Sequence, residues 1–239
     1  MALILYLHPL ASFCHKVLIA LYENQTDFRA EIVDFSDPGS AAMLLERWPV
    51  GKIPVLYDSS TKRTVPETSI IIEYLQQRYP GTVPLLPVNE DANLEARLWD
   101  RFFDQYVSAP MQRIVADRLR PEDARDPTGV ADACKTLDTA YAMIDGQLAI
   151  NGWAIGDQFT IADCAAAPGL FFASIVHPFR ENQTKLSGYF EHLLERPSVR
   201  RTLAEARPYF SMFPYRDAMP NRFLELQMNE GDCIGSSIA

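Results

Sequence analysis

The chain has 239 residues, 48% of them hydrophobic, with a formal net charge of -9 and a pI near 4.9. So much apolar content can bury a sizeable core and excludes wholesale disorder, while the acidic balance excludes a nucleic-acid surface built on clustered Lys and Arg. The cysteines Cys14, Cys134, Cys164 and Cys233 lack metal-ligand spacing, and no apolar run reaches the ~18 residues of a membrane span. The expectation is a cytoplasmic protein with reduced thiols and no metal, membrane or nucleic-acid partner.

Leu3 to Leu7 reads as a buried central strand stopped by His8-Pro9, not as a signal peptide, because no basic region precedes it and no cleavage site follows. Phe13, Val17, Ala20, Leu21 and Asn24 follow at helical spacing. Phe28, Ala30 and Ile32 alternate as a second strand, and Met43 to Trp48 form a short helix ended by Pro49. Ile53 to Tyr57 is a third strand opened by a proline, Asp58 to Lys62 a turn, and Arg63 to Val65 a fourth strand. A helix then carries Ile70, Ile71, Tyr74, Leu75 and Arg78. The order βαβαββα contains both a crossover and a hairpin, so it predicts a mixed four-stranded sheet with helices on its faces over residues 1–80.

Tyr79 to Thr82 begins a linker that Pro84 and Pro87 keep extended. Beyond it the strand signal vanishes. Leu94, Leu98, Phe102, Tyr106 and Val107 predict one long amphipathic helix, and Leu137, Ala140, Tyr141, Ile144 and Leu148 mark another from Val130 to Ile150. Residues 91–205 therefore read as an all-helical domain. An irregular, aromatic extension over 206–239 ends in a polar tail from Asn229.

Three short segments carry the chemistry. In Val50-Gly51-Lys52-Ile53-Pro54-Val55, a proline opens a central-looking strand. A cis bond there would turn the Ile53 backbone toward an extended peptide ligand; an ordinary edge proline is the plainer alternative. In Pro66-Glu67-Thr68-Ser69, an acid and a hydroxyl open a helix. Free amides there attract a carboxylate and Glu67 suits the neighbouring ammonium, so the pair fits an α-amino acid head group, or else Thr68 simply caps the helix. In Thr160-Ile161-Ala162-Asp163, the spacing is that of a capping box, which reads as structural.

Taken in order, Ile53-Pro54, Glu67-Thr68 with Ile71 and Tyr74-Leu75, Thr160 to Asp163 and Glu195-Arg196-Pro197-Ser198-Val199 resemble the cytosolic glutathione transferase superfamily over residues 1–205. The resemblance implies a thioredoxin-like N-terminal domain, an all-α C-terminal domain and glutathione as co-substrate. It implies a cis-proline at Pro54, the Ile53 backbone on the cysteinyl unit, Glu67 and Thr68 at the γ-glutamyl end and Lys52 near the glycyl end. It also implies a homodimer in which an acid, Asp104 or else Asp100, reaches the partner's glutathione; Asp104 has no evident use within one chain.

Glutathione becomes a good nucleophile only as its thiolate, which a hydroxyl donor and a helix N-terminus favour. The family's usual serine or cysteine position falls on Ala11. Ser12 is the first alternative, Tyr6 on the strand the second, and Cys14 the third; backbone amides alone would also serve. His8 and His15 are candidate bases, though such residues more often sit in loops or on the surface. Phe103, Tyr106, Met111 and Ile114 are expected to line a pocket for a small apolar electrophile. The leading function is a glutathione transferase acting in detoxification. A glutathione-dependent isomerase or peroxidase, and a binding protein that has lost catalysis, are the alternatives.

Overall fold

A computed structural model describes residues 2–147 and 152–225. The sequence-based readings at Leu148, Ile150 and the tail from Asn229 lie outside these.

Strands β1 (Leu3–Leu7), β2 (Arg29–Ile32), β3 (Val55–Asp58) and β4 (Arg63–Pro66) form one sheet in the order β2-β1-β3-β4. β1 runs parallel to β2 and antiparallel to β3, with Tyr6 opposite Val55, and β4 closes a hairpin on β3. The central strand reads as an uninterrupted apolar run because both its faces are covered. Leu3, Leu5 and Leu7 pack with Val17, Leu18 and Leu21 of α1 (Ser12–Glu23) and Ile71 and Leu75 of α3 (Thr68–Arg78). Tyr6, with Ile4 beside it, faces the other way, toward Val33 and Leu44.

The second helix differs from expectation. α2 runs Pro38–Arg47, not Met43 to Trp48. Asp37 starts it by accepting from the amides of Gly39 and Ser40, both at 3.1 Å, and Pro38 takes the first helical position, where its missing N–H costs nothing. β3 starts at Val55 because Ile53 and Pro54 lie beyond the ladder.

The linker is held by two side-chain amides. Asn24 receives the Val83 N–H at 2.9 Å and donates to its carbonyl at 3.1 Å; Gln76 does the same for Leu86, at 2.8 and 3.0 Å. These clamps satisfy extended backbone that has no strand neighbour.

The single long helix expected around Leu94 to Val107 is three pieces: α4 (Glu90–Phe102), a π-helical turn at Phe103–Ser108, and α5 (Ala109–Arg118). Pro110, at the start of α5, supplies the reason: its ring and absent N–H disrupt the ladder one turn back, and the wider turn relieves the clash. α6 (Pro127–Gln147), α7 (Ile161–Val176), α8 (Thr184–Glu195) and α9 (Pro197–Ala206) complete the bundle. α7 is its buried axis. Thr160 caps it, and Asp163 returns the bond to the Thr160 amide at 2.8 Å while also taking the Tyr189 hydroxyl at 2.7 Å. The segment after Arg207 is not loose up to residue 225: Phe210, Phe213, Met219 and Phe223 are buried in the helical core. That core also takes in Ile19, Ala20 and Ile72 from α1 and α3, so the two units are packed together.

Candidate active site

The chain turns from β1 into α1 through His8 to Ala11. Leu10 donates its N–H to His8 Nδ1 at 3.2 Å, and Ala11 donates to the His8 carbonyl at 2.9 Å. Ala11 occupies the cap position of α1 and has no side-chain acceptor to offer, so the first turn is left uncapped. His15 is not a surface residue. It is buried, its Nε2 lies 2.5 Å from the Pro9 carbonyl, and burial drives its pKa down to about 4, so the neutral ring donates there and braces the loop. Cys14 is sealed in the core and its thiol is pushed up to about 12, which removes it as a thiolate.

Across the cleft, the Ile53–Pro54 peptide is cis. Beside it, α3 begins without a side-chain cap. The cap position is Glu67, in the left-handed region at φ 68°, and Thr68 is the first helical residue instead of the cap expected from sequence. Left-handed backbone at a non-glycine residue is costly and persists where the surroundings impose it. The consequence is an exposed Glu67 carboxylate beside amides at a positive helix end.

Lys52, Ile53, Pro54, Glu67, Thr68 and Asp104 all line one cleft of about 290 Å³ between the sheet unit and the π-helical turn. Phe13, Trp48, Arg101, Gln105 and Ala109, which sequence reasoning missed, complete its wall. A wider cleft of about 660 Å³ adjoins it, sharing Phe13, Lys52 and Ile53, and is walled by Leu10, Ala11, Phe35 and Met212 among others. The two form one groove with a polar and an apolar end, a shape suited to a small ligand.

Other candidates fall elsewhere. Ser12 is buried at the start of α1 between Ala11 and Phe13, both of which line the wider cleft; its Oγ accepts from Gln112 Nε2, of the same wall, at 3.3 Å. Tyr6 lies on the α2 face of the sheet beside the Arg47 guanidinium, outside both clefts. Phe103, Met111 and Ile114 are at most 3% exposed and locked in the helical core, whereas Tyr106 points outward against Phe102. The expected apolar pocket therefore has different walls. The stripe on the helix faces inward because α7 packs against it, and the π-helical turn rotates Tyr106 off that face.

Asp104 has a use within the chain, which corrects the expectation that it has none. Lys16, buried in α1, places Nζ 2.7 Å from Asp104 Oδ2, 2.6 Å from Asp100 Oδ1 and 3.0 Å from Ser69 Oγ. Ser69 in turn donates to Asp100 Oδ2 at 2.6 Å, and Arg101 reaches both Ser69 and Asp104. Burial raises the Asp104 carboxyl above its ordinary value, with Lys16 acting against that shift. This network ties the start of α3 to the helical unit directly under the polar end of the groove. A lysine on an otherwise apolar helix face was the only sequence signal for it.

Comparison with known proteins agrees with the division into a sheet unit and a helical unit. The family model for the glutathione S-transferase N-terminal domain matches residues 5–83, and that for the C-terminal domain matches residues 107–197. Glutathione S-transferase GstB of Escherichia coli is 30% identical over 194 residues, covering 79% of this chain and 91% of that protein. Among solved structures, a glutathione S-transferase from Methylobacterium radiotolerans in complex with glutathione sulfonate is 26% identical with a TM-score of 0.71, covering 82% of this chain and 92% of that one. One from Methylobacillus flagellatus with glutathione bound has a TM-score of 0.77 at 22% identity, covering 84% and 98%, and supports the fold. With both domains matched in order, and a 30% identical relative covered almost end to end, the chain belongs to the glutathione S-transferase superfamily.

Proposed function

We propose that the groove binds glutathione and activates its thiol for attack on a small apolar electrophile. One observation carries this reading: the uncapped start of α3, the Ile53–Pro54 bend and the uncapped start of α1 border one continuous groove. The α3 amides take the γ-glutamyl carboxylate and Glu67 its ammonium, with Asp104 adding negative charge beside it. Ile53 pairs with the cysteinyl backbone, and Lys52 lies toward the glycyl end. The sulfur then rests at the start of α1, where the helix dipole favours the thiolate. Ser12, whose oxygen accepts from Gln112, keeps its own proton to donate to the sulfur.

The electrophile occupies the wider, apolar end. Isomerase and peroxidase chemistry would use the same thiolate. A binding protein without catalysis is the reading favoured by Ala11 at the cap of α1. Retention on immobilised glutathione, followed by assays with halides, enones and peroxides, tests all of these. Retention without turnover would leave the binding protein; no retention would reject the proposal.

A homodimer is supported by the exposed apolar side chains Ile70 of α3, Leu94 and Leu98 of α4 and Tyr106, which a second copy would cover. Among the described residues no helix is long and apolar enough to cross a membrane, and Cys14, Cys134 and Cys164 are free thiols. A cytoplasmic location goes with those thiols.

A further inference from the structure

We propose that His8 orients the second substrate by donating a hydrogen bond from Nε2 to its oxygen, so that the protein prefers apolar α,β-unsaturated carbonyl compounds. This rests on the transferase reading above and names the substrate class for its apolar end.

The argument starts from the ring's tautomer. His8 Nδ1 accepts from the Leu10 amide at 3.2 Å, so in the neutral ring the proton sits on Nε2. Among the described residues nothing receives that proton, although the ring is half-buried against the edge of Tyr209. Burial lowers the His8 pKa, with Asp34 acting in the opposite sense, which keeps the ring neutral near pH 7. The wider cleft around it is otherwise apolar on the walls formed by Leu10, Phe13, Phe35 and Met212. Of its other polar side chains, Asp34 Oδ1 is taken by the Ser36 amide and hydroxyl, Gln112 donates to Ser12, and Lys52 lies at the boundary with the polar cleft, which it also lines and where it serves the glycyl end. His8 thus presents a fixed neutral donor in the cleft that shares Phe13 and Ile53 with the glutathione end.

Such a donor suits a reaction that leaves charge on oxygen without needing immediate protonation. The glutathione thiolate adds to the β-carbon, forming the C–S bond. The π pair moves through the α-carbon to the carbonyl oxygen, and the His8 N–H stabilises that enolate oxygen. The proton that left the thiol for solvent is matched by one that solvent returns to the α-carbon. Nothing is oxidised or reduced, and His8 ends as it began. A neutral imidazole acts here as hydrogen-bond donor, not as acid.

The test compares benzylideneacetone with benzyl chloride, two apolar aromatic electrophiles of which only the first carries an oxygen. The readout is the ratio of their glutathione-dependent kcat/KM values in wild type, His8→Phe and His8→Gln. The expected result is an enone-to-halide ratio that falls about tenfold in His8→Phe and returns most of the way in His8→Gln, whose amide restores a donor. Equal losses on both electrophiles in His8→Phe would make His8 a purely structural residue and overturn the inference, leaving the transferase reading intact. Conjugation of benzyl chloride but not benzylideneacetone by wild type would overturn this inference alone; absence of both in protein that is retained on immobilised glutathione would overturn the transferase reading and this inference with it.

Discussion

Lys16 Nζ, almost closed to solvent, lies 2.7 Å from Asp104 Oδ2, joining the first helix of the sheet unit to the turn that walls the polar cleft. Asp100 and Ser69 complete its shell. Replacing Lys16 with Met leaves two buried carboxylates with only the half-exposed Arg101 guanidinium, at 3.3 and 3.5 Å, so the loss of stability is expected at about 3 kcal/mol. Denaturant unfolding measures it. The triple variant Lys16→Met, Asp100→Asn, Asp104→Asn removes the stranded charge and is expected to recover part of the loss; no recovery would show that the network contributes by shape alone.

Glu67→Ala leaves the ammonium of the bound γ-glutamyl group without its nearest counter-charge. Titration calorimetry with glutathione is expected to show affinity about tenfold weaker or worse. Unchanged affinity would place the amino-acid end of the ligand elsewhere.

Ser12→Ala removes a donor from the thiolate, so the bound thiol's pKa is expected to rise and conjugation at neutral pH to fall about ten- to a hundredfold. Tyr6→Phe is expected to change little, because Tyr6 faces α2. The pH dependence of the conjugation rate in both variants decides the matter. A shift in Tyr6→Phe alone would exchange the roles, and no shift in either would leave the thiolate to the α1 amides.

Asp58 ends β3 and accepts from the Tyr74 and Tyr79 hydroxyls at 2.7 and 2.6 Å and from Ser60 Oγ at 2.6 Å. Although burial pushes its pKa up, the bonds from Ser60, Tyr79 and Tyr74 together outweigh that and hold the carboxyl below its ordinary 3.8. The folded state thus favours the charged form. The resulting stability is present above the unfolded value and is lost as pH falls below 3.8 toward the folded value. Acid unfolding of wild type and Asp58→Asn checks this: the variant is expected to be about 2 kcal/mol or more weaker at neutral pH, with the gap narrowing in acid.

Sedimentation is expected to give twice the 27.0 kDa chain mass. Leu94→Lys with Leu98→Glu places charges on the exposed apolar face and is expected to shift the protein toward monomer. A wild-type mass near 27.0 kDa at working concentration would reject the dimer.

Much of the groove was legible because its signals are local. Glu67-Thr68 opens a helix and Ile53-Pro54 precedes a strand within a few residues of chain, and local backbone geometry follows from local residue types. The capping box at Thr160 and Asp163 is of the same kind. The Asp37-Pro38 helix start is equally local, but the apolar spacing from Met43 onward masks it.

What the sequence by itself determined was the succession of elements, the break between a sheet unit and a helical one, and the residues at the polar end of the groove. Each follows from spacing or from turn and cap chemistry within one element. Only the tertiary structure decided which way side chains face and which distant groups they meet. Tyr6 points at α2, Phe103 turns into the bundle, Ser12 meets Gln112, and Lys16 finds Asp104 88 positions along the chain. A helical stripe or a lone lysine has the same local energy whichever neighbour it packs against. The choice is made by burial and charge pairing between elements far apart in sequence, and no local pattern encodes it.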